Sequence, residues 1–363
     1  MSLLTRYLTR EFLRLLLLCM AGGTVLYLVI DLFDRITVFI RSGATAGWVA
    51  LFLLNKMPLI VYQITPAAML LAVILTLGIM SRHNEIIALR TAGIRVTRIA
   101  APLVFVSLLA GLGSFFFNEH LVAPTHARHE QMYRILRDGK PPFKRFVGGK
   151  FWFKGPGGIY EISAFQPVTR ELYGITYFEV ARPFRPARRV DAARAVWTDG
   201  EWEFQDAVER TFLPEGDVKT VHLDRVTLGL RESPEEFQTL ARHTEHFPFF
   251  QLRGTIQEIE AAGYDATPYR VELHRKISFP ALNVITVLLG LPFALRLPKT
   301  GGLASAVGIS LVVGFFFWVI YAFTLSLGKT GMLPPLVSAW AANLLFLGLA
   351  AYLLLRLEGS AIH

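Results

Sequence analysis

Six apolar runs free of Asp, Glu, Lys and Arg (residues 15–30, 57–81, 99–117, 277–295, 303–328 and 330–355) are divided three and three by a polar stretch between residues 118 and 270. Most reach the roughly 20 residues that a helix rising about 1.5 Å per residue needs to cross a ~30 Å hydrocarbon layer. The first run is shorter, but Phe12, Leu13, Leu32 and Phe33 extend it, with Arg14 able to snorkel to the headgroups. A chain of 363 residues that is 53% hydrophobic and only 18% charged belongs in a membrane. The expected fold class is an α+β membrane protein with six transmembrane helices, three on each side of an inserted β domain. The first run is expected to remain a span, because no small-x-small cleavage pattern follows it before Asp31. Cys19 is the only cysteine and lies inside that run, so no internal disulfide can form.

Lys and Arg in the short connections set the expected orientation. With the N-terminus inside, that face carries Arg6, Arg10, Arg14, Arg82, Arg90, Arg95, Arg98, Arg296, Lys299 and Arg356, against Arg35, Arg41 and Lys329 on the other. Both termini are expected in the cytoplasm and the insert outside. The net charge of +9 is shared between the two faces, and no basic stripe suggests a nucleic-acid partner.

The insert reads as β structure. Residues 150–154, 158–165, 172–181, 189–197, 201–213 and 218–228 are short runs rich in aromatic and β-branched side chains, punctuated by Gly, Pro and Asp. Asp199-Gly200 suits a tight hairpin turn, with Trp202 and Phe204 alternating against Glu201, Glu203 and Gln205. This pattern predicts a jelly roll or sandwich. Helix returns at 249–262, where Leu252, Ile256 and Ile259 recur at helical spacing before Gly263. The expected division is 1–117 for the first three spans, 118–269 for the β domain and 270–363 for the last three.

Motifs for chemistry are weak. Gly328-Lys329-Thr330 resembles the end of a phosphate loop, but the glycine required upstream is Phe323. His126, His129 and Glu130 run in the order H-x-x-H-E, not H-E-x-x-H, and His243 and His246 lack a recognisable carboxylate or thiolate partner set. These histidines are expected to be exposed polar residues; no metal, cofactor or catalytic residue is expected.

The connection between the second and third runs is more distinctive. Ser81-Arg-His-Asn-Glu-Ile-Ile-Ala-Leu-Arg-Thr-Ala-Gly93 can start at a serine cap, run as a short helix over 81–93 and stop at glycine. Glu85 sits near its positive end, and Ile86, Ile87 and Leu89 can pack into a partner or the headgroup region. By itself such a segment reads as an interfacial linker. In a protein that receives work from outside itself, it serves as a coupling helix docked into an ATPase.

Several segments together resemble the LptF/LptG permease family of the lipopolysaccharide export transporter. They are Leu4-Thr-Arg-Tyr-Leu-Thr-Arg-Glu11, Asn84 to Gly93, Asn118 and Pro124, Glu272-Leu-His-Arg-Lys-Ile-Ser-Phe-Pro280 and Gly290-Leu-Pro-Phe293. Each is weak singly; their order around a six-span plan is specific. Gly301-Gly302, Gly308 with Gly314, and Pro334-Pro335 look more like the LptG branch.

The resemblance implies a non-catalytic permease subunit of an ABC transporter in the bacterial inner membrane. Its implied partners are a related LptF-like permease subunit, a dimeric cytoplasmic LptB-like ATPase, an LptC/LptA-like periplasmic bridge protein, membrane lipids and lipopolysaccharide, which moves sideways from the outer leaflet to a periplasmic jelly roll. Glu85, Ile86, Leu89 and Arg90 would then couple to the ATPase. Where the LptG type carries a basic residue near the outer end of the first span, this chain has Asp31, for which an ion pair with Arg35 is the simplest reading. Arg35, Arg41, Arg128 and Arg134 are the candidates for lipid phosphate, since guanidinium binds phosphate bidentately and stays charged. Phe151, Trp152, Phe153, Tyr160, Tyr177 and Phe178 are candidates to line a lipid groove in the insert. A membrane scaffold and an enzyme acting on lipid-linked sugars remain as alternatives.

Overall fold

The computed structural model describes residues 3–138, 144–147, 150–154, 158–166, 169–181, 185–198, 200–213, 217–230, 233–234, 237, 247–261, 265–296 and 302–359. It separates into two compact units, Met1–Met132 with Val271–His363, and Tyr133–Arg270.

The first unit is helical. In chain order its helices are α1 (Leu3–Ser42), α2 (Ala46–Arg82), α3 (Glu85–Thr91) and α4 (Val96–Phe117), which continues through a π-helical turn at Asn118–Val122 into α5 (Ala123–Asp138). After the second unit, which carries α6 (Phe249–Ala261), come α7 (Thr267–Arg296), α8 (Gly302–Lys329) and α9 (Pro335–Gly359). Six of the described helices are long and apolar enough to cross a membrane, three before the strands and three after. Local chemistry marks their starts: Thr45 caps α2 by accepting the Trp48 N–H, and Pro335 opens α9, where a missing N–H costs nothing.

Burial separates central spans from peripheral ones. The most apolar windows of α2 and α7 are 67% and 72% buried, against 17% for both α1 and α8. The first pair therefore forms the core of the unit. The second pair presents Leu17, Leu26, Phe315 and Phe316 outward, which costs little where the surroundings are lipid or another apolar helix. At Gly290 of α7 a β-carbon would overlap the Val73 side chain of α2, with Leu70 and Ile74 behind it. Gly290→Val is therefore expected to destabilise the unit by about 3 kcal/mol, the upper end for overpacking a filled core. A thermal-aggregation midpoint unchanged from the parent in detergent would refute this.

Polar side chains join the spans where apolar packing alone does not set register. Asn343 of α9 donates to the Ser278 carbonyl of α7 at 2.7 Å, and Asn283 of α7 donates to the Ser114 hydroxyl of α4 at 3.1 Å. Glu272, 2% exposed, accepts from Arg275 one turn later and lies 3.6 Å from Lys329 at the end of α8. These bonds are worth keeping in a low-dielectric setting, because an unpaired polar group there costs more than the bond yields.

Among the described residues the second unit holds seven antiparallel strands: β1 (Lys144–Val147), β2 (Lys150–Lys154), β3 (Ile159–Gln166), β4 (Glu171–Ala181), β5 (Arg185–Thr198), β6 (Glu201–Phe212) and β7 (Val218–Thr227). They pair in sequence order as one up-and-down meander. The β-rich insert is as expected, but the crossing connections of a jelly roll are not found among the described strands. Thr198 pairs with Glu201, and Gly200 takes φ 88°, as a two-residue hairpin turn demands.

The pleat does not alternate uniformly. Buried positions run Tyr160, Ile162, then Phe165; Leu172, then Ile175 and Tyr177; Val190 and Ala192, then Ala195; Trp202 and Phe204, then Ala207. Each strand changes parity at the same place, and the pairs Ser163–Gly174, Gly174–Ala193, Ala193–Asp206 and Asp206–Asp224 are missing from the ladder. Gly174 and Asp206 take φ 58° there. One continuous line across the sheet thus inverts the inward face, so a single sheet can bend around an apolar interior, which Leu230 and Phe237 help to fill.

Candidate functional site

The short helix α3 stands between the second and third spans. Helix α2 runs on through Ser81 and Arg82, so the turn falls at His83 and Asn84, the latter with φ 60°, and α3 opens at Glu85. Gly93, at φ 79°, closes it, and the Ile94 N–H bonds back to the Leu89 carbonyl. Ile86 is 5% exposed and sits in one apolar cluster with Leu8, Phe12, Leu77, Met80 and Ile99, with Leu89 and Ile94 packed against it. Glu85 is half-buried, and both its carboxylate oxygens face the Tyr7 hydroxyl of α1, at 3.0 and 3.3 Å. Ile87 and Arg90 remain exposed. Of the four coupling candidates, Ile86 and Leu89 anchor α3 to its own chain, while Arg90 and the partly open Glu85 are available to another.

A second cluster gathers α1, α2 and α5. Asp31 is 7% exposed; its Oδ1 accepts from Lys56 and, at 3.1 Å, from Arg35. The Asp31–Arg35 pair one helical turn apart follows the spacing in the sequence, but Lys56 comes from α2 and was passed over. Its signal was a lone cation just before an apolar run, opposite in sign to Asp31. The Lys56 ammonium stands 5.4 Å from the Tyr27 ring centre and the Arg35 guanidinium 5.8 Å from that of Phe52. His129 Nδ1 lies 3.2 Å from the Phe52 carbonyl, with the two rings 4.1 Å apart.

His126 and His129 are 8% and 2% exposed, which corrects the expectation of exposed histidines. Their i, i+3 spacing places both on the face of α5 that is buried. Of the phosphate candidates, only Arg35 joins this cluster. Arg41 and Arg128 are exposed, and the side chain of Arg134 lies outside the described residues.

The aromatic residues of the insert fall on two faces of the sheet. Tyr160 and Tyr177 are buried with ring centres 4.7 Å apart, and the Tyr160 hydroxyl donates to the Leu228 carbonyl at 2.7 Å. Burial pushes the Tyr177 phenol above its ordinary pKa, so it stays neutral. Trp152 and Phe178 stack on the opposite face at 6.2 Å, with the Arg189 guanidinium over Phe178. Phe151 and Phe153 pair in register with Ile162 and Tyr160, while their side chains lie outside the described residues. His243, His246 and Gly301 are also outside them.

Within the helical unit a small apolar cleft opens between α2, α7, α8 and α9, lined by Pro66, Leu70, Ile285, Phe317, Trp318 and Phe346 among others. Its one hydroxyl, Thr286, donates to the Leu282 carbonyl within its own helix, which leaves the lining mainly apolar.

The family model for "Lipopolysaccharide export system permease LptF/LptG" matches residues 6–356. Over 348 residues the chain is 21% identical to the lipopolysaccharide export system permease protein LptG of Escherichia coli strain K12, covering 90% of this chain and 91% of that protein. The LptG of Escherichia coli O6:H1 matches with the same identity and coverage. This chain therefore belongs to the LptF/LptG family of lipopolysaccharide export system permeases.

Proposed function

We propose that this chain is an LptG-type permease subunit that moves lipopolysaccharide out of the inner membrane, with both termini cytoplasmic and the β unit periplasmic. A related LptF-like permease completes the cavity, a dimeric LptB-like ATPase supplies the work, and an LptC/LptA-like bridge protein receives the lipid. The observation that carries this reading is α3: a short helix seated by Ile86 in the bundle, with Arg90 exposed and Glu85 half-buried at its outer edge, in a chain matched by the permease family over nearly its full length. The excess of Lys and Arg on the α3 side supports its cytoplasmic placement. ATP hydrolysis belongs to the partner, and this chain supplies the moving parts.

In this reading ATPase closure displaces α3, and α1 and α8, the spans least covered by their own chain, shift against the partner permease. Arg35 and Lys56 supply positive charge to the phosphates near the outer end of α1, with Asp31 neutralising them when no lipid is present. Arg41 and Arg128 add exposed charge there. The apolar cleft of the helical unit accepts acyl chains, and the β unit offers the lipid an apolar interior of its own, with Tyr160 and Tyr177. Glu85→Lys is expected to reduce lipopolysaccharide release from reconstituted vesicles at least tenfold and to weaken ATPase association. Unchanged association and release would overturn the coupling role.

A further inference from the structure

We infer that Tyr7 is the positioning residue of the coupling site: its hydroxyl ties Glu85 of α3 to α1 and so carries movement of the coupling helix into the first span. This rests on the proposed coupling role of α3.

The bond joins residues far apart in sequence. The Tyr7 hydroxyl reaches Oε2 at 3.0 Å and Oε1 at 3.3 Å, so one O–H is shared across the carboxylate and aligns it rather than merely touching it. A hydrogen bond to an ionised acceptor is stronger than a neutral one. Beneath it, Ile86 shares an apolar cluster with Leu8 and Phe12, which lie one and five residues beyond Tyr7. The contact between α3 and α1 thus has an apolar seat and one polar clasp, and the clasp is made by the carboxylate that is to face the ATPase.

Helix α1 is suited to carry that movement. It is one helix from Leu3 to Ser42 with no proline. Residues 7 and 31 stand about 36 Å apart along it at ~1.5 Å per residue. Its most apolar window is only 17% buried, so most of that surface is open to lipid or to another span, while its covered side packs along α2. A displacement of Glu85 therefore acts on the near end of a long lever. Its far end carries Asp31 and Arg35 against Lys56. Removing the hydroxyl leaves the apolar seat intact and takes away only the polar clasp, so α3 draws α1 along less tightly. Tyr7 is 44% exposed, so Tyr7→Phe opens no buried cavity.

The test uses the complex that co-purifies with a tagged copy of this chain, reconstituted in vesicles containing lipopolysaccharide. Lipid release and ATP hydrolysis are measured together for the parent, Tyr7→Phe, Glu85→Gln, the double variant of these two, and Glu85→Lys. Lipid released per ATP is expected to fall about fivefold in Tyr7→Phe, at the low end of coupling between sites. The double variant is expected to lose no more than Glu85→Gln alone, because both substitutions act through one bond. An unchanged ratio in Tyr7→Phe, or losses that multiply in the double variant, overturns the inference. Full coupling in Glu85→Lys would instead remove the coupling role of α3 itself, whereas loss in Glu85→Lys with full coupling in Tyr7→Phe removes only the role of Tyr7.

Discussion

Replacing Glu272 by alanine is expected to lower the stability of the helical unit by about 3–5 kcal/mol, the loss seen when one partner of a buried ion pair is removed. Glu272 is 2% exposed and is the acceptor for Arg275, with Lys329 of α8 at 3.6 Å. Without it, the Arg275 guanidinium, whose side chain is 25% exposed, loses the carboxylate that accepts from it. The cost comes from the stranded charge more than from the lost bond, which makes a sharper prediction available. Glu272→Ala combined with Arg275→Met is expected to recover most of the stability, because the second change removes the orphaned charge. Thermal unfolding in detergent tests both, and a double variant as unstable as the sum of the singles would show that the pair does not act as a unit.

Asp31→Asn is expected to cost about 3 kcal/mol for the same reason, since Lys56 and Arg35 then share a partly buried site without their carboxylate. Lys56→Met costs less, about 1–2 kcal/mol, because Asp31 keeps Arg35 as its partner. The two variants should also diverge when lipid is added. If Arg35 and Lys56 serve lipid phosphate, Asp31→Asn gains more thermal stabilisation from lipopolysaccharide than the parent does, and Lys56→Met gains less. Equal lipid-dependent stabilisation in parent and both variants would separate this cluster from lipid binding and leave it a structural ion pair.

The spans were legible because their signal is local: composition and length decide whether a helix can cross a bilayer, and no distant residue changes that. The strands of the insert were legible for the same reason, and the turn at Gly200 followed from its residue type. The meander order and the change of pleat parity were not. Alternation read along one strand predicts an unbroken inward face, and Asp206, a residue with a β-carbon, gives no warning that it will adopt φ 58°. The third helical element likewise runs past Phe117 through a π-helical turn and into α5, whose polar composition disguised it as the start of the insert.

The candidate site divides along the same line. Glu85 near the start of a short helix and Asp31 four residues before Arg35 are relations within a few turns, and the spacing of the chain alone determined them. Tyr7 beside Glu85, Lys56 beside Asp31, and Lys329 beside Glu272 were decided only by the packing of separate helices. Helical periodicity tells which side chains share a face of one helix; it carries no information on which face of another helix will meet it. A buried charge fixes its partner through the cost of remaining alone, and that cost exists only once the bundle has closed around it.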